Sequence, residues 1–141
     1  MLSMVQYSII TPERTVAEGE ARQISVSTQK GEITIRPGHA ELTTLLTPGE
    51  MRVITPSGEE MLLAVSTGIL RIAKNALTIL ADTAERSEEL TLEAIERARQ
   101  EADQALKNVR AGDEVAYAAA AALLEREVAR YRVALKGRRK R

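Results

Sequence analysis

The chain has 141 residues, 44% of them hydrophobic and 28% charged, with a formal net charge of zero. That suits one modest domain, or a small domain with an appendage, and is too short for a large enzyme with a deep cleft. There is no cysteine, tryptophan or phenylalanine, and only three tyrosines and one histidine, which excludes disulfides, thiol nucleophiles, thiolate metal sites and His-rich metal cages.

The core must therefore come from Ile, Leu, Val, Met and Ala. No run of about 18 uncharged apolar residues occurs, and "MLSMVQYSIITPE" lacks a basic region followed by an apolar stretch. Neither a spanning helix nor a signal peptide is expected.

From Met4 to about Ala84 the hydrophobic pattern has period 2. Along the chain Val5, Tyr7 and Ile9 alternate, then Ile24 and Val26, Ile33 and Ile35, Met51 and Val53, Met61, Leu63 and Val65, and finally Leu77 and Ile79. Turn signals separate these runs: Thr11-Pro12, Gly31, Pro37-Gly38, Pro48-Gly49, Pro56-Ser57-Gly58 and Lys74-Asn75. Many short strands at regular spacing predict an antiparallel β-sandwich or flattened barrel.

After Arg86 glycine and proline nearly vanish and the period becomes 3.6. Leu92, Ile95, Ala98, Ala102, Ala105, Leu106 and Val109 form one stripe, with Thr91 as N-cap. "RAGDE" breaks the helix at Gly112, and Tyr117, Ala121, Leu124, Val128, Tyr131 and Leu135 make a heptad-like seam on a second helix. The prediction is an α+β chain, with a β-sandwich over 1–86 and an antiparallel helical hairpin over 87–141. An alanine-rich seam lets helices approach but holds them weakly, since each Leu-to-Ala exchange at a buried site forfeits about 2–5 kcal/mol. Reversible docking and a permanently packed cap are both open on this pattern.

The chain ends in "KGRRKR", so Lys136, Arg138, Arg139, Lys140 and Arg141 form a basic tail. Such a run is a solvated tail, or a contact for an acidic protein surface, phospholipid or nucleic acid. Nucleic-acid binding lacks stacking aromatics and a basic patch in the strand half. Catalysis lacks a motif: Ser66 is not in a nucleophile elbow, "GEITIRPG" is not a phosphate loop, and no nucleophile or carboxylate pair flanks His39.

The stretches "KGEITIRPGHAELTTLLTPGEMRV" and "LAVSTGILRIAKNALTILADTAERSEEL", followed by an Ala-rich charged hairpin, resemble the epsilon subunit of F-type ATP synthases over essentially the whole chain. The resemblance implies a non-catalytic rotor component. Its sandwich would bind the gamma subunit and rest on the polar loops of the c-ring. Its hairpin would lie folded on the sandwich or extend toward the alpha/beta catalytic head, restraining ATP hydrolysis. Association with the membrane would be peripheral, through the complex, at the cytoplasmic face of a bacterial plasma membrane, with a photosynthetic thylakoid membrane as the alternative.

The same resemblance places Glu32 and His39 at the c-ring end. The residue-level alternative for His39 is that it satisfies hydrogen bonds within its Pro-Gly turn. No cofactor is required, although some family members bind ATP between the helices. Their Ile/Leu-Asp-x-x-Arg-Ala motif corresponds here to "LTLEAI", which keeps Leu90 but has Thr91, Ala94 and Ile95 at the Asp, Arg and Ala positions. On the second helix Arg126 and Arg130 match two phosphate-contacting arginines, and a spacing of four puts them on one face. Weak ATP binding, pairing with Glu127 or other acids, and contact with the beta subunit are the readings of this pair. A free-standing sandwich that binds carbohydrate or peptide is the alternative function, disfavoured because the strand half offers only Tyr7 as an aromatic platform.

Overall fold

The computed structural model describes residues 3–140. Ten strands come first: β1 (Val5–Ile10), β2 (Thr15–Ala21), β3 (Gln23–Thr28), β4 (Gly31–Ile35), β5 (Leu42–Leu46), β6 (Gly49–Ile54), β7 (Glu60–Val65), β8 (Gly68–Ala73), β9 (Ala76–Ala81) and β10 (Ala84–Arg86). A 3₁₀ turn, Ser87–Glu89, leads to α1 (Leu92–Lys107) and α2 (Glu114–Lys140). The chain is thus an N-terminal β-sandwich, nearly closed into a barrel, followed by two helices.

The strands run in the order β10-β7-β6-β3-β5-β8-β9-β1-β2, with β4 paired to β3. All pairs are antiparallel except β1 with β9. The predicted alternation builds the core. Val5, Ile9, Ile24, Ile35, Met51, Val53, Leu63, Leu77 and Ile79 are buried, while Tyr7, Ile33 and Met61 pack half-buried against them. The sequence reading leaves out four strands: β2, β5 and β10, which carry little alternation, and β8, where buried Leu70 and Ile72 do alternate with exposed Ile69 and Arg71. At the open seam, side chains replace strand pairing: Arg86 Nη2 donates to Val16 O at 3.1 Å, and Arg14 Nη2 to Glu89 Oε2 at 2.8 Å.

All six sequence-read turn signals fall at strand junctions, with Gly31 and Gly49 as the first residues of β4 and β6. The tightest is Lys74-Asn75, where both residues have positive φ (50° and 62°), the geometry of a two-residue primed turn that suits Asn. Asn75 then fastens its surroundings: its Oδ1 accepts from Gly38 N and its Nδ2 donates to Met4 O.

The hairpin departs from expectation in two respects. Thr91 is the N-cap of α1, but its side chain makes no capping hydrogen bond; Asp113 does cap α2, its Oδ1 accepting from Ala116 N at 3.0 Å. The predicted seam of α2 is only half-buried, and its Tyr117 is 57% exposed. The buried residues, Glu127, Ala129, Val133, Ala134 and Gly137, lie on the other side of the helix. That second face packs against the sheet, where Leu62, Ala64, Leu90, Ile95, Val133 and Ala134 form a small cluster with Leu92 and Tyr131 at its margin.

Candidate functional site

Three parts of the surface stand out, and the sequence-read residues fall on the first two. The first is the seat of α2 on the sheet. In register, Glu85 of β10 and Glu50 of β6 both face Ala64 of β7, so the three form one cross-strand row. α2 crosses this row. Arg130 Nη2 donates to Glu85 Oε2 at 2.9 Å, and Lys136 Nζ donates to Glu50 Oε2 at 2.5 Å. Six helical residues advance about 9 Å, and two strand spacings span about 9.5 Å, so both ion pairs form without bending the helix.

Within this seat Glu127 is 1% exposed and holds two arginines. Arg126 Nη2 donates to its Oε1 at 2.9 Å, and Arg130 Nη1 to its Oε2 at 2.6 Å. Partial burial opposes the Arg130 charge, but its hydrogen bonds to Glu85 and Glu127 outweigh that, so the guanidinium is held above its ordinary value. Arg126 and Arg130 are thus brought together as expected, facing away from the half-buried seam. The anion they share in this arrangement is Glu127. On α1, Arg99 donates to Glu96 at 2.6 Å, and that bond is the main cause of the lowered Glu96 pKa.

Glu32 and His39 are not brought together. They lie near opposite ends of β4: Glu32 beside the β3–β4 turn, His39 beyond the Pro37-Gly38 turn. Glu32 and Ile35 alone are separated by about 10 Å of strand. The Glu32 side chain is 57% exposed and its carboxylate is bound by Arg52. His39 is half-buried, with Nδ1 at 2.7 Å from Ala40 O and its own N–H donating to Arg36 O. The β5–β6, β7–β8 and β9–β10 connections share the Glu32 end, while the β8–β9 turn with Asn75 shares the His39 end.

The third surface was missed by the sequence reading. Leu45 of β5, Ile69 of β8 and Leu80 of β9 are direct cross-strand neighbours. They are 47%, 45% and 50% exposed, an outward apolar row where an isolated sheet would present polar residues. The signal was available in "GILRIA", whose Leu70 and Ile72 are buried and leave Ile69 on the opposite face.

Of the basic tail, Lys136 is paired with Glu50 and Arg138 is exposed. Arg141 and the side chains of Arg139 and Lys140 lie outside the described residues. Among the described residues no group of three or more His, Cys, Asp or Glu could hold a metal ion, and no helix is long and apolar enough to cross a membrane.

Residues 4–87 match the family model described as ATP synthase, Delta/Epsilon chain, beta-sandwich domain. The chain is 41% identical over 128 residues to the ATP synthase epsilon chain of Psychrobacter arcticus, covering 91% of both. It is 37% identical over 116 residues to that of Alkalilimnicola ehrlichii, covering 82% of this chain and 83% of the relative. Among solved structures its fold is similar to a chain of the Euglena gracilis mitochondrial ATP synthase OSCP/F1/c-ring, with a TM-score of 0.75 at 19% identity, covering 96% of this chain and 81% of that one. A chain of the Tetrahymena thermophila mitochondrial ATP synthase central stalk and c-ring gives a TM-score of 0.59 at 17% identity, covering 94% of both.

Proposed function

Because this chain belongs to the ATP synthase epsilon chain family, we propose that it is a non-catalytic rotor subunit that joins the gamma subunit to the c-ring and restrains ATP hydrolysis through its hairpin. Family membership replaces the free-standing binding module with a subunit of a complex. The observation that carries the rotor reading is the apolar row Leu45, Ile69 and Leu80. A contiguous exposed apolar surface marks a protein contact, and full burial of such side chains is worth about 1.5–3 kcal/mol each. The gamma subunit is the partner assigned to it.

The Glu32 end, with its exposed carboxylate, is assigned to the polar loops of the c-ring. His39 sits at the other end and its hydrogen bonds are local, so its proposed part is to keep the β4–β5 turn. The hairpin, held on the sandwich by two ion pairs and a six-residue apolar cluster, is the element that would release and extend toward the alpha/beta head. Arg126 and Arg130 would then be free for an acidic beta-subunit segment. While docked they are engaged by Glu127, which leaves any ATP binding there weak. The complex would hold the chain peripherally at the cytoplasmic face of a bacterial plasma membrane.

The test is Ile69→Glu in the middle of the apolar row. It should weaken binding to purified gamma subunit by roughly ten-fold or more, since a charge would be buried without a partner. Unchanged affinity would place the gamma contact elsewhere.

A further inference from the structure

The seat of α2 is linked by charge to the end of the sandwich that carries Glu32. Arg52 Nη2 donates to Glu32 Oε1 at 2.5 Å, and Arg52 Nε lies 3.7 Å from Glu50 Oε1. The other oxygen of Glu50 accepts from Lys136 Nζ at 2.5 Å. Glu50 and Arg52 are two apart on β6 and therefore share its outer face. Four side chains of alternating sign thus run from β4 across β6 to α2.

We propose that Glu32, Arg52, Glu50 and Lys136 form an ionic relay through which a partner engaging the Glu32 carboxylate loosens α2 from the sheet. The proposal rests on the assignment of the Glu32 end to the c-ring. A hydrogen-bond donor on the partner's polar loop takes the Glu32 carboxylate and leaves Arg52 with Glu50 as its remaining acid. The guanidinium then closes from 3.7 Å toward a direct bond, as its fork geometry favours. Glu50 now serves two cations, and Lys136 meets both a weaker acceptor and a nearer positive charge. Both effects have the same sign, against docking. The element with two states is α2 itself, which a small apolar cluster holds only weakly.

The magnitude is set by exposure. Glu50 is the most enclosed member, with its side chain 19% exposed, against 39% for Arg52, 57% for Glu32 and 50% for Lys136. Screening by water limits the coupling to about two- to three-fold in the docking equilibrium.

Hydrogen exchange of the full chain at low salt measures this without any partner. Glu32→Gln should raise the exchange of α2 amides in 128–137 about two- to three-fold, with the amides of β1 and β9 unchanged. The effect should vanish in a Lys136→Met or an Arg52→Met background, and in the parent chain at about 1 M salt. No change on Glu32→Gln overturns the relay, and so does an equal change in either background or at high salt. The c-ring assignment fails separately, if Glu32→Gln leaves ATP-driven ion pumping by the assembled enzyme unaltered.

Discussion

Arg130 of α2 and Glu85 of β10, 45 residues apart in sequence, meet at 2.9 Å beside a carboxylate that is itself almost wholly buried. The pair fixes where the second helix crosses the sheet. Arg130 also holds Glu127, so one guanidinium serves both the strand and the helix. The contact joins the two halves of the chain through charge where their shared apolar area is small.

Removing that guanidinium should therefore release the helix. Arg130→Ala leaves Glu85 without this partner and Glu127 with Arg126 alone, a loss of about 3 kcal/mol for a pair of this burial. Amide exchange along α2 should accelerate roughly a hundred-fold, while the strands stay protected. Unchanged α2 exchange would mean that packing, not charge, seats the helix.

Glu127 determines whether the arginines are open to phosphate. In the native chain millimolar ATP should leave α2 exchange unchanged, because Glu127 already accepts from both. Glu127→Ala should weaken docking and make it respond to ATP or inorganic phosphate. ATP protection of the native helix would show instead that nucleotide displaces Glu127.

The two ends of the sandwich should separate functionally. His39→Ala loses one local side-chain hydrogen bond and should cost about 0.5–1.5 kcal/mol of stability, with ATP-driven pumping intact. Glu32→Gln should leave stability nearly unchanged and weaken pumping. The reverse pattern in reconstituted complexes would move the c-ring contact to the His39 end.

Gly68 is fixed by space. A Cβ there would lie 2.1 Å from Leu80 O and 2.7 Å from Ala81 Cα, both backbone atoms of the neighbouring strand. Gly68→Ala should destabilise the sandwich by about 1–3 kcal/mol in urea unfolding, and since the clash lies beside Leu80 it should also disturb the apolar row. Native-like stability would show that β8 and β9 can part locally.

Tyr7 gives the alkaline limit. Burial raises its pKa above the ordinary 10.0, against a smaller opposing effect of Arg86. The folded state therefore keeps the phenol proton where the unfolded chain has lost it. Stability from this group is full below 10.0 and is lost as pH rises through the folded value. Tyr7→Phe should flatten the decline of stability above pH 10.0; an unaltered slope would mean the phenol ionises freely in the folded protein.

Much of the sandwich was legible because its inner faces alternate cleanly and its turns carry Gly, Pro or Asn. β2 was hidden because "TVAEGEA" puts only Ala17, Gly19 and Ala21 on the face it shares with Val5, Tyr7 and Ile9, too small to mark a hydrophobic period, and β5 because "LTTLL" points Leu45 outward. The sheet-facing side of α2 was hidden for a different reason. Apart from Val133 it is built from Ala129, Ala134, Gly137, Glu127 and Arg130, small or charged residues whose burial depends on partners in distant strands and leaves no hydrophobic period. The pairing of Arg126 and Arg130 was readable from their spacing, whereas the separation of Glu32 from His39 required the direction of β4.

The most direct test of the rotor and hairpin account uses host membranes stripped of this chain. ATP hydrolysis is measured after adding back either the full protein or a version ending at Glu89, whose strand core contains no hairpin residue. The account predicts that both rebind and only the full chain slows hydrolysis. Equal rates after rebinding would contradict the restraint, and failure of both to rebind would contradict the rotor assignment.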